Sequence, residues 1–279
     1  MVACEQCQGD DIELGEDLAD GRKRLVCVSC GHSWIRGEAK PPPPKSVDHF
    51  AAARDAFRKA ESPDAQRMES VKELKHAYLA KFPQEDATVG PYWARYQQVF
   101  SRDGLATCDP QDLKDFANSA VGANPGNMSV FNRAWNELGT EAAAARTRGA
   151  IHYLLYGPET RPIEDRMTDL IVGDRHVGMT GFKESLLTKV LCIMEPDRFL
   201  PILTYTSTAA AGKREIAWSV FGVDLPAPDK TAMTIGRLIF WSNDLLVRLA
   251  GEGFASMAHL SEFLWLSRDG QQISDGKPT

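Results

Sequence analysis

Residues 177–191 read VGMTGFKESLLTKVL, and this stretch predicts a tight turn that leads directly into a helix. Gly178 and Gly181 supply the freedom that a sharp turn needs, because glycine adopts positive φ without strain. The apolar residues that follow recur at helical spacing, and Pro196 ends the segment. The free amides at the start of such a helix form a natural phosphate site. An ordinary corner between two core helices explains the same residues.

Basic and polar side chains around this turn define a candidate nucleic-acid site. A small positive pocket beside the helix amino terminus suits a phosphate or a nucleic-acid backbone. The alternative is that the basic side chains simply pair with the neighbouring carboxylates of Asp174 and Glu184. The predicted nucleic-acid contacts at the turn are Arg175, His176, Thr180, Gly181, Lys183 and Lys189.

Helical periodicity extends from the turn in both directions. Apolar residues recur every three to four positions over most of the chain after the first 45 residues. The aromatic residues of 91–100, Trp93 among them, favour a core helix over stacking on bases. The predicted helical segments are 46–60, 64–81, 91–100, 109–116, 130–156 with a break near Gly139, 213–221, 231–250 and 256–265.

The run Pro41–Pro44 forms a stiff spacer and marks the clearest domain boundary. The predicted organisation is a zinc ribbon at 1–37, a Pro-rich linker at 38–46, a helical domain at 47–266 and a polar tail at 267–279. The predicted fold class is therefore mainly α, with a small amino-terminal Cys4 zinc ribbon of β-hairpins followed by an all-helical domain.

Two C-x2-C pairs near the amino terminus predict one structural zinc ion. Cys4 and Cys7 form the first pair, and Cys27 and Cys30 form the second after nineteen intervening residues. Four thiolates at tetrahedral geometry suit Zn²⁺ and leave no open position for catalysis. So short a segment cannot bury enough apolar surface to fold unaided, so the metal supplies folding free energy. We expect His32 to be a surface or hydrogen-bonding residue and not a fifth ligand.

The ribbon carries a basic tip, and this tip is a second predicted nucleic-acid contact. Arg22, Lys23 and Arg24 follow the turn signal Asp20-Gly21. Residues 1–37 nevertheless hold four basic and seven acidic side chains, a net charge of −3. A ribbon that docks on protein explains the same residues as one that contacts DNA.

Composition and charge limit the classes of function. The chain has 279 residues, 43% hydrophobic residues and a formal net charge of −6, which fit an ordinary globular protein without a globally basic surface. It has neither an apolar run of membrane-spanning length nor a secretory signal. We therefore expect a cytoplasmic protein, in whose reducing compartment paired cysteines hold metal and do not form disulfides.

Enzyme motifs are missing from the sequence. It contains no P-loop, GxSxG, HExxH or Rossmann fingerprint. Cys108 and Cys192 are isolated, and Cys192 fits a small core residue within an apolar helix. The histidines show no metal-ligand spacing. We assign no catalytic residue, and the sequence leans against an enzyme.

Residues 179–191, continued by PDRFLP at 196–201, resemble a helix-hairpin-helix element. The longer pattern, over about residues 165–265, is similar to helix-hairpin-helix DNA glycosylases and more closely to the helical amino-terminal regions joined to McrB-type AAA+ restriction proteins. The resemblance implies DNA binding in a prokaryotic restriction or defence system, with motor and nuclease on other chains. Lys183 stands where the hairpin usually has its second glycine. Residues 202–205 lack the aspartate of a glycosylase, which disfavours that activity.

We therefore expect a nucleic-acid-binding or adaptor protein whose partner is DNA, with Zn²⁺ as its cofactor and a protein partner supplying the motor or nuclease. One alternative is a protein–protein assembly module with a purely structural ribbon. A repair enzyme of the glycosylase type is the third alternative.

Overall fold

The computed structural model describes residues 4, 6–7, 12–18, 23–35, 49–173, 178–207, 212–228 and 234–268. The chain divides into two compact units, Met1–Val47 and Asp48–Thr279. The first unit contains a small sheet and a cysteine cluster, and the described part of the second is helical. The predicted fold class is confirmed. The predicted linker at 38–46 lies outside the described residues.

The first unit contains a three-stranded antiparallel sheet. Its strands are β1 (Ile12–Asp17), β2 (Lys23–Cys27) and β3 (Ser33–Ile35), in the order β1-β2-β3. Leu14, Leu25 and Trp34 are paired across successive strands and form one row of the sheet. The His32 ring stacks on the Trp34 ring with their centroids 5.6 Å apart. His32 therefore packs on Trp34 of the sheet.

The described part of the second unit contains twelve helices. Their lengths range from six to seventeen residues. They are α1 (His49–Ala60), α2 (Ala65–Lys81), α3 (Val89–Phe100), α4 (Arg102–Thr107), α5 (Pro110–Asn118), α6 (Ser129–Leu138), α7 (Thr140–Tyr156), α8 (Ile163–Val172), α9 (Glu184–Met194), α10 (Lys213–Phe221), α11 (Ile235–Ala250) and α12 (Met257–Arg268).

The helix boundaries follow local sequence signals in most places. The break predicted near Gly139 separates α6 from α7, and Gly139 has a φ of 79° that suits glycine. Asp64 caps α2 by accepting a hydrogen bond from the amide of Arg67 at 2.8 Å. The carboxyl-terminal boundary is different from the prediction, because α12 continues to Arg268 and buries Ser267. Residues 267 and 268 therefore belong to the helical unit and not to a polar tail.

Helix α9 lies at the centre of the helical unit. All its residues from 186 to 193 are buried, and it packs against α3, α7 and α8. A helix that is buried all round must be surrounded by other helices. Trp93, Tyr96 and Phe100 of α3 are also buried in this core. The aromatic residues of α3 are therefore core residues, as the sequence favoured, and Trp93 does not present its ring to a ligand.

Helices α8 and α11 cross at close range. A Cβ atom at Gly236 would lie 1.9 Å from the Glu164 carbonyl oxygen, so only glycine permits this approach. Asp165 accepts two hydrogen bonds of 2.8 Å from the Arg237 guanidinium beside the crossing. None of the described helices has the length and apolar character to cross a bilayer.

Candidate functional site

The four predicted zinc ligands lie together at one end of the sheet. Their sulfur atoms are all within 4.8 Å of one another, with Cys4 Sγ 3.6 Å from Cys30 Sγ and Cys7 Sγ 3.5 Å from Cys27 Sγ. Cys27 ends β2, and the turn that follows returns through Gly31, whose amide donates to the Cys27 carbonyl at 2.8 Å. The φ of 73° at Gly31 lets this knuckle close.

The spacing of the sulfurs fits a single bound metal ion. Four sulfurs at about 2.3 Å from a tetrahedral Zn²⁺ lie roughly 3.8 Å from one another. The observed separations of 3.5 and 3.6 Å are close to that value. The cluster is therefore positioned to hold one metal ion.

The electrostatics of the knuckle favour a thiolate at Cys4. Burial opposes ionisation of this thiol, but hydrogen bonds from the backbone amides of Cys7 and Gln6, together with those from the neighbouring thiols, lower the pKa of Cys4 to about 6. A thiolate is the form that binds metal, so the backbone prepares this ligand for coordination.

The structure describes only some of the predicted nucleic-acid contacts. Arg22, Arg175 and His176 lie outside the described residues. Lys23 and Arg24 are exposed on β2, and Thr180 is exposed in the turn before α9. The predicted contacts that are accessible are therefore Lys23 and Arg24 on the sheet and Thr180 in the turn.

Gly181 serves close packing between the turn and a neighbouring helix. Its φ is 78°, and a Cβ atom there would lie 2.4 Å from the backbone nitrogen of Phe131 in α6. The amide of Phe182 donates to the Met179 carbonyl at 3.0 Å and closes the turn. The glycine that suggested a phosphate cradle is therefore required by a contact within the protein.

Lys183 and Lys189 both bind backbone carbonyls of their own chain. Lys183 Nζ donates to the Leu170 carbonyl at 2.8 Å, and partial burial lowers its pKa. Lys189 is fully buried and donates to the carbonyls of Phe116, at 3.2 Å, and of Ser119. Desolvation lowers the pKa of Lys189 to about 7. The prediction that Lys189 contacts a nucleic acid is wrong for this structure, because solvent and ligand do not reach its ammonium.

A carboxylate stands in the first turn of α9, beside the amides that a phosphate would use. Glu184 accepts a hydrogen bond from the backbone amide of Tyr205. Burial raises the pKa of Glu184. When ionised, it interacts favourably with the positive end of the helix dipole and would repel a phosphate there. Together with the two engaged lysines, it makes the glycine turn a structural corner.

An open groove of about 660 Å³ lies between α4 and α7. Arg148, His152 and Tyr156 follow one another at four-residue spacing, which places them on one face of α7. The Arg102 guanidinium of α4 lies 4.6 Å from the centre of the Tyr156 ring. The residues that line the groove are Arg102, Leu105, Ala106, Arg148, Gly149, His152, Tyr153, Tyr156, Gly157 and Pro158.

Two polar side chains of the groove, Arg148 and Tyr156, are held by hydrogen bonds to backbone carbonyls. Arg148 Nη2 donates to the Cys108 carbonyl at 2.7 Å, and its buried Nε has no hydrogen-bond partner among the described residues. Tyr156 Oη donates to the Phe100 carbonyl at 2.7 Å, and burial raises the pKa of this phenol, which keeps it neutral. No carboxylate is among the described residues that line the groove.

Sequence patterns alone did not connect Arg148 with Arg102. The four-residue spacing of Arg148, His152 and Tyr156 was the available signal. The contribution of Arg102 required knowledge of how α4 packs on α7. Neither a protein-family model nor a curated protein nor a solved structure matches this chain.

Proposed function

We propose that this chain binds nucleic acid through the groove between α4 and α7. One observation carries the proposal: Arg102 and His152 lie beside the Tyr156 ring, and Arg148 lines the same groove, whose described lining contains no carboxylate. Guanidinium groups bind phosphates, and aromatic rings bind bases. A binding site confined to one groove does not need a basic surface elsewhere, which is consistent with a net charge of −6 for the chain. The restriction or defence setting, with DNA as the target, rests on the sequence resemblance and stays a prediction.

The test is fluorescence anisotropy with labelled DNA at two salt concentrations. Arg102→Glu places a carboxylate at the mouth of the groove and is expected to weaken binding at least tenfold. It should also lower the slope of log affinity against log salt by about 0.7 for each lost phosphate contact to a single strand. Arg133→Glu is the matched control, because Arg133 is an exposed arginine on α6 outside the groove. Equal effects of the two variants would show that only overall charge matters.

We also propose that the metal of the cysteine cluster is zinc. Four thiolates at these separations form the donor set that Zn²⁺ prefers, and they leave no open coordination position. The cysteines of the cluster would hold the ion and gain folding free energy from it. Elemental analysis of the purified chain is expected to find one zinc per chain. If the analysis finds one iron per chain, the metal is iron and the proposal of zinc is wrong.

A second candidate function, protein contact, belongs to the ribbon. Leu14 and Val28 are large apolar side chains that are 64% and 52% exposed. With a net charge of −3 over residues 1–37, the ribbon is better suited to protein than to a phosphate backbone. A charge reversal of Arg22, Lys23 and Arg24 tests this division of roles. The triple variant should bind nucleic acid as the original chain does, and a tenfold loss would make the basic tip a nucleic-acid contact.

A further inference from the structure

We infer that the groove between α4 and α7 takes unpaired nucleotides in preference to a duplex, an inference that rests on the proposed nucleic-acid function. The groove has an apolar floor, to which Leu105, Ala106 and Gly149 contribute. In a duplex the faces of the bases are stacked on one another, and only base edges and phosphates are exposed. An apolar floor of this kind is filled by a base whose face is free.

The aromatic groups of the groove are positioned for such a base before it binds. Tyr156 is held by its hydrogen bond to the Phe100 carbonyl, and the Arg102 guanidinium packs on its ring. The His152 ring lies 5.6 Å from the Tyr156 ring, at an angle of 60°. His152 is exposed and therefore accessible to a base. Rings that are already ordered lose little entropy on binding, so they favour a stacked ligand.

The extent of positive charge also indicates a short, unpaired ligand. Binding to a duplex without sequence readout needs a basic stripe that follows several phosphates. Here the guanidinium groups of the groove are those of Arg102 and Arg148, and the exposed carboxylates of Asp103 and Glu159 stand next to lining residues in the chain. The local charge therefore suits one to two phosphates. A volume of about 660 Å³ lies within the range of small-ligand sites.

The experiment measures anisotropy of the full chain with four labelled probes of equal length: a deoxythymidine 12-mer, the corresponding uridine 12-mer, a duplex, and an abasic 12-mer. The abasic strand keeps the phosphates and lacks the bases. We expect a single strand to bind at least tenfold more tightly than either the duplex or the abasic strand. The comparison of the deoxy and ribo strands identifies which unpaired nucleic acid is preferred.

Ala106→Glu locates the site, because it places a carboxylate on the floor of the groove. It should abolish single-strand binding, and Ala80→Glu, at an exposed alanine of α2, should not. A thermal melt by circular dichroism checks that both variants fold. His152→Ala should weaken single-strand binding about tenfold without changing duplex binding.

The outcomes separate this inference from the function on which it rests. Duplex or abasic strand binding as tightly as the single strand, with Arg102→Glu still disruptive, overturns the inference and leaves the proposed function standing. Binding of no probe at low salt overturns both. Single-strand binding that survives Ala106→Glu places the site elsewhere and overturns the inference. If an acidic peptide at the same concentration of negative charge displaces the single strand, the groove recognises charge alone. That result also overturns the inference.

Discussion

Gly181 is the residue at which the turn before α9 meets the backbone of α6. Its hydrogen faces the Phe131 amide at a distance that no Cβ atom can take. Its φ of 78° adds a second reason for glycine, since an L residue is strained in that region. Both requirements are structural, and both explain why a glycine pattern typical of phosphate loops occurs in a protein that uses it for packing.

We predict that Gly181→Ala lowers the free energy of unfolding by at least about 2 kcal/mol, from backbone strain and overpacking together. Gly126→Ala is the matched control, because Gly126 has a φ of 81° and no atom within 4 Å of the added Cβ. Gly126→Ala should lower the free energy of unfolding by about 1 kcal/mol, from backbone strain alone. Urea unfolding of the two variants measures the difference. Equal losses of unfolding free energy would mean that the backbone near Phe131 moves away from the added methyl group without cost.

Lys189 is a buried amine whose partners are carbonyls and not carboxylates. Desolvation holds its pKa at about 7, whereas its ordinary value is 10.5. The unfolded chain therefore binds this proton more tightly than the folded chain. Burial of Lys189 therefore lowers the free energy of unfolding by its full amount below pH 7, and this loss disappears as the pH rises toward 10.5. Hydrogen bonds to the Phe116 and Ser119 carbonyls join α9 to the carboxyl-terminal end of α5 and remain available to the neutral amine.

We predict that Lys189→Met removes this pH dependence. The unfolding free energy of the original chain minus that of the variant should rise between pH 7 and pH 9, by about 1 kcal/mol per pH unit. The nearby Cys192 thiol stays neutral over this range, because burial raises its pKa to about 12. Urea titrations at three pH values measure the difference. A difference that is constant with pH would show that the amine is not charged differently in the two states.

At the scale of elements, the crossing of α8 and α11 depends on one glycine and one ion pair. Gly236 brings the backbones together, and the Asp165–Arg237 pair joins the same two helices beside it. The pair is partly buried, so its two aligned hydrogen bonds are less screened than those of a surface pair. Helix α8 also holds Asp169, which accepts hydrogen bonds from Arg161 and Tyr153. Polar contacts thus orient α8 on two sides.

We predict that replacing one helical glycine by alanine raises the stability of the protein and that replacing another lowers it. Gly→Ala in a helix normally stabilises by up to about 1 kcal/mol. Gly90→Ala in α3 should show this gain, because no atom lies within 4 Å of the new Cβ. Gly236→Ala should destabilise by about 2 kcal/mol or more, since its Cβ meets the Glu164 carbonyl and forces the helices apart. Thermal melts of both variants test the contrast, and two gains of equal size would exclude a close crossing.

At the scale of the whole molecule, the two units obtain their stability from different sources. The helical unit has an extensive apolar core around α9. In the described part of the first unit, the buried apolar side chains are Cys4, Leu25 and Cys27. A unit with so small a core needs the free energy of metal binding to fold.

We predict that chelation of the metal unfolds the first unit and leaves the second folded. Hydrogen exchange should show loss of protection in β1, β2 and β3, while α9 keeps its protection. Cys27→Ser should give the same result without a chelator, because it removes one of the four ligands. Cys108→Ser is the matched control outside the cluster. Loss of protection in α9 after chelation would show that the two units fold as one.

The sequence alone determined the fold class, the metal cluster and many helix boundaries, but it did not predict helices α4 and α8. These follow from local patterns: the C-x2-C spacing, the apolar period and the positions of glycine and proline. The function of the glycine turn was not readable from the same patterns. A glycine that approaches a phosphate and one that approaches another helix have the same backbone requirement, and Lys189 looks the same in sequence whether exposed or buried.

Tertiary structure decided which basic groups face outward together. Burial of α9 took Lys189 out of reach, and Lys183 turned back to the Leu170 carbonyl. The packing of α4 on α7 brought Arg102 to Tyr156, although 54 positions separate them in the chain (156 − 102). Which side chains share a surface depends on how helices pack, and that is determined by long-range apolar contacts which no local period encodes.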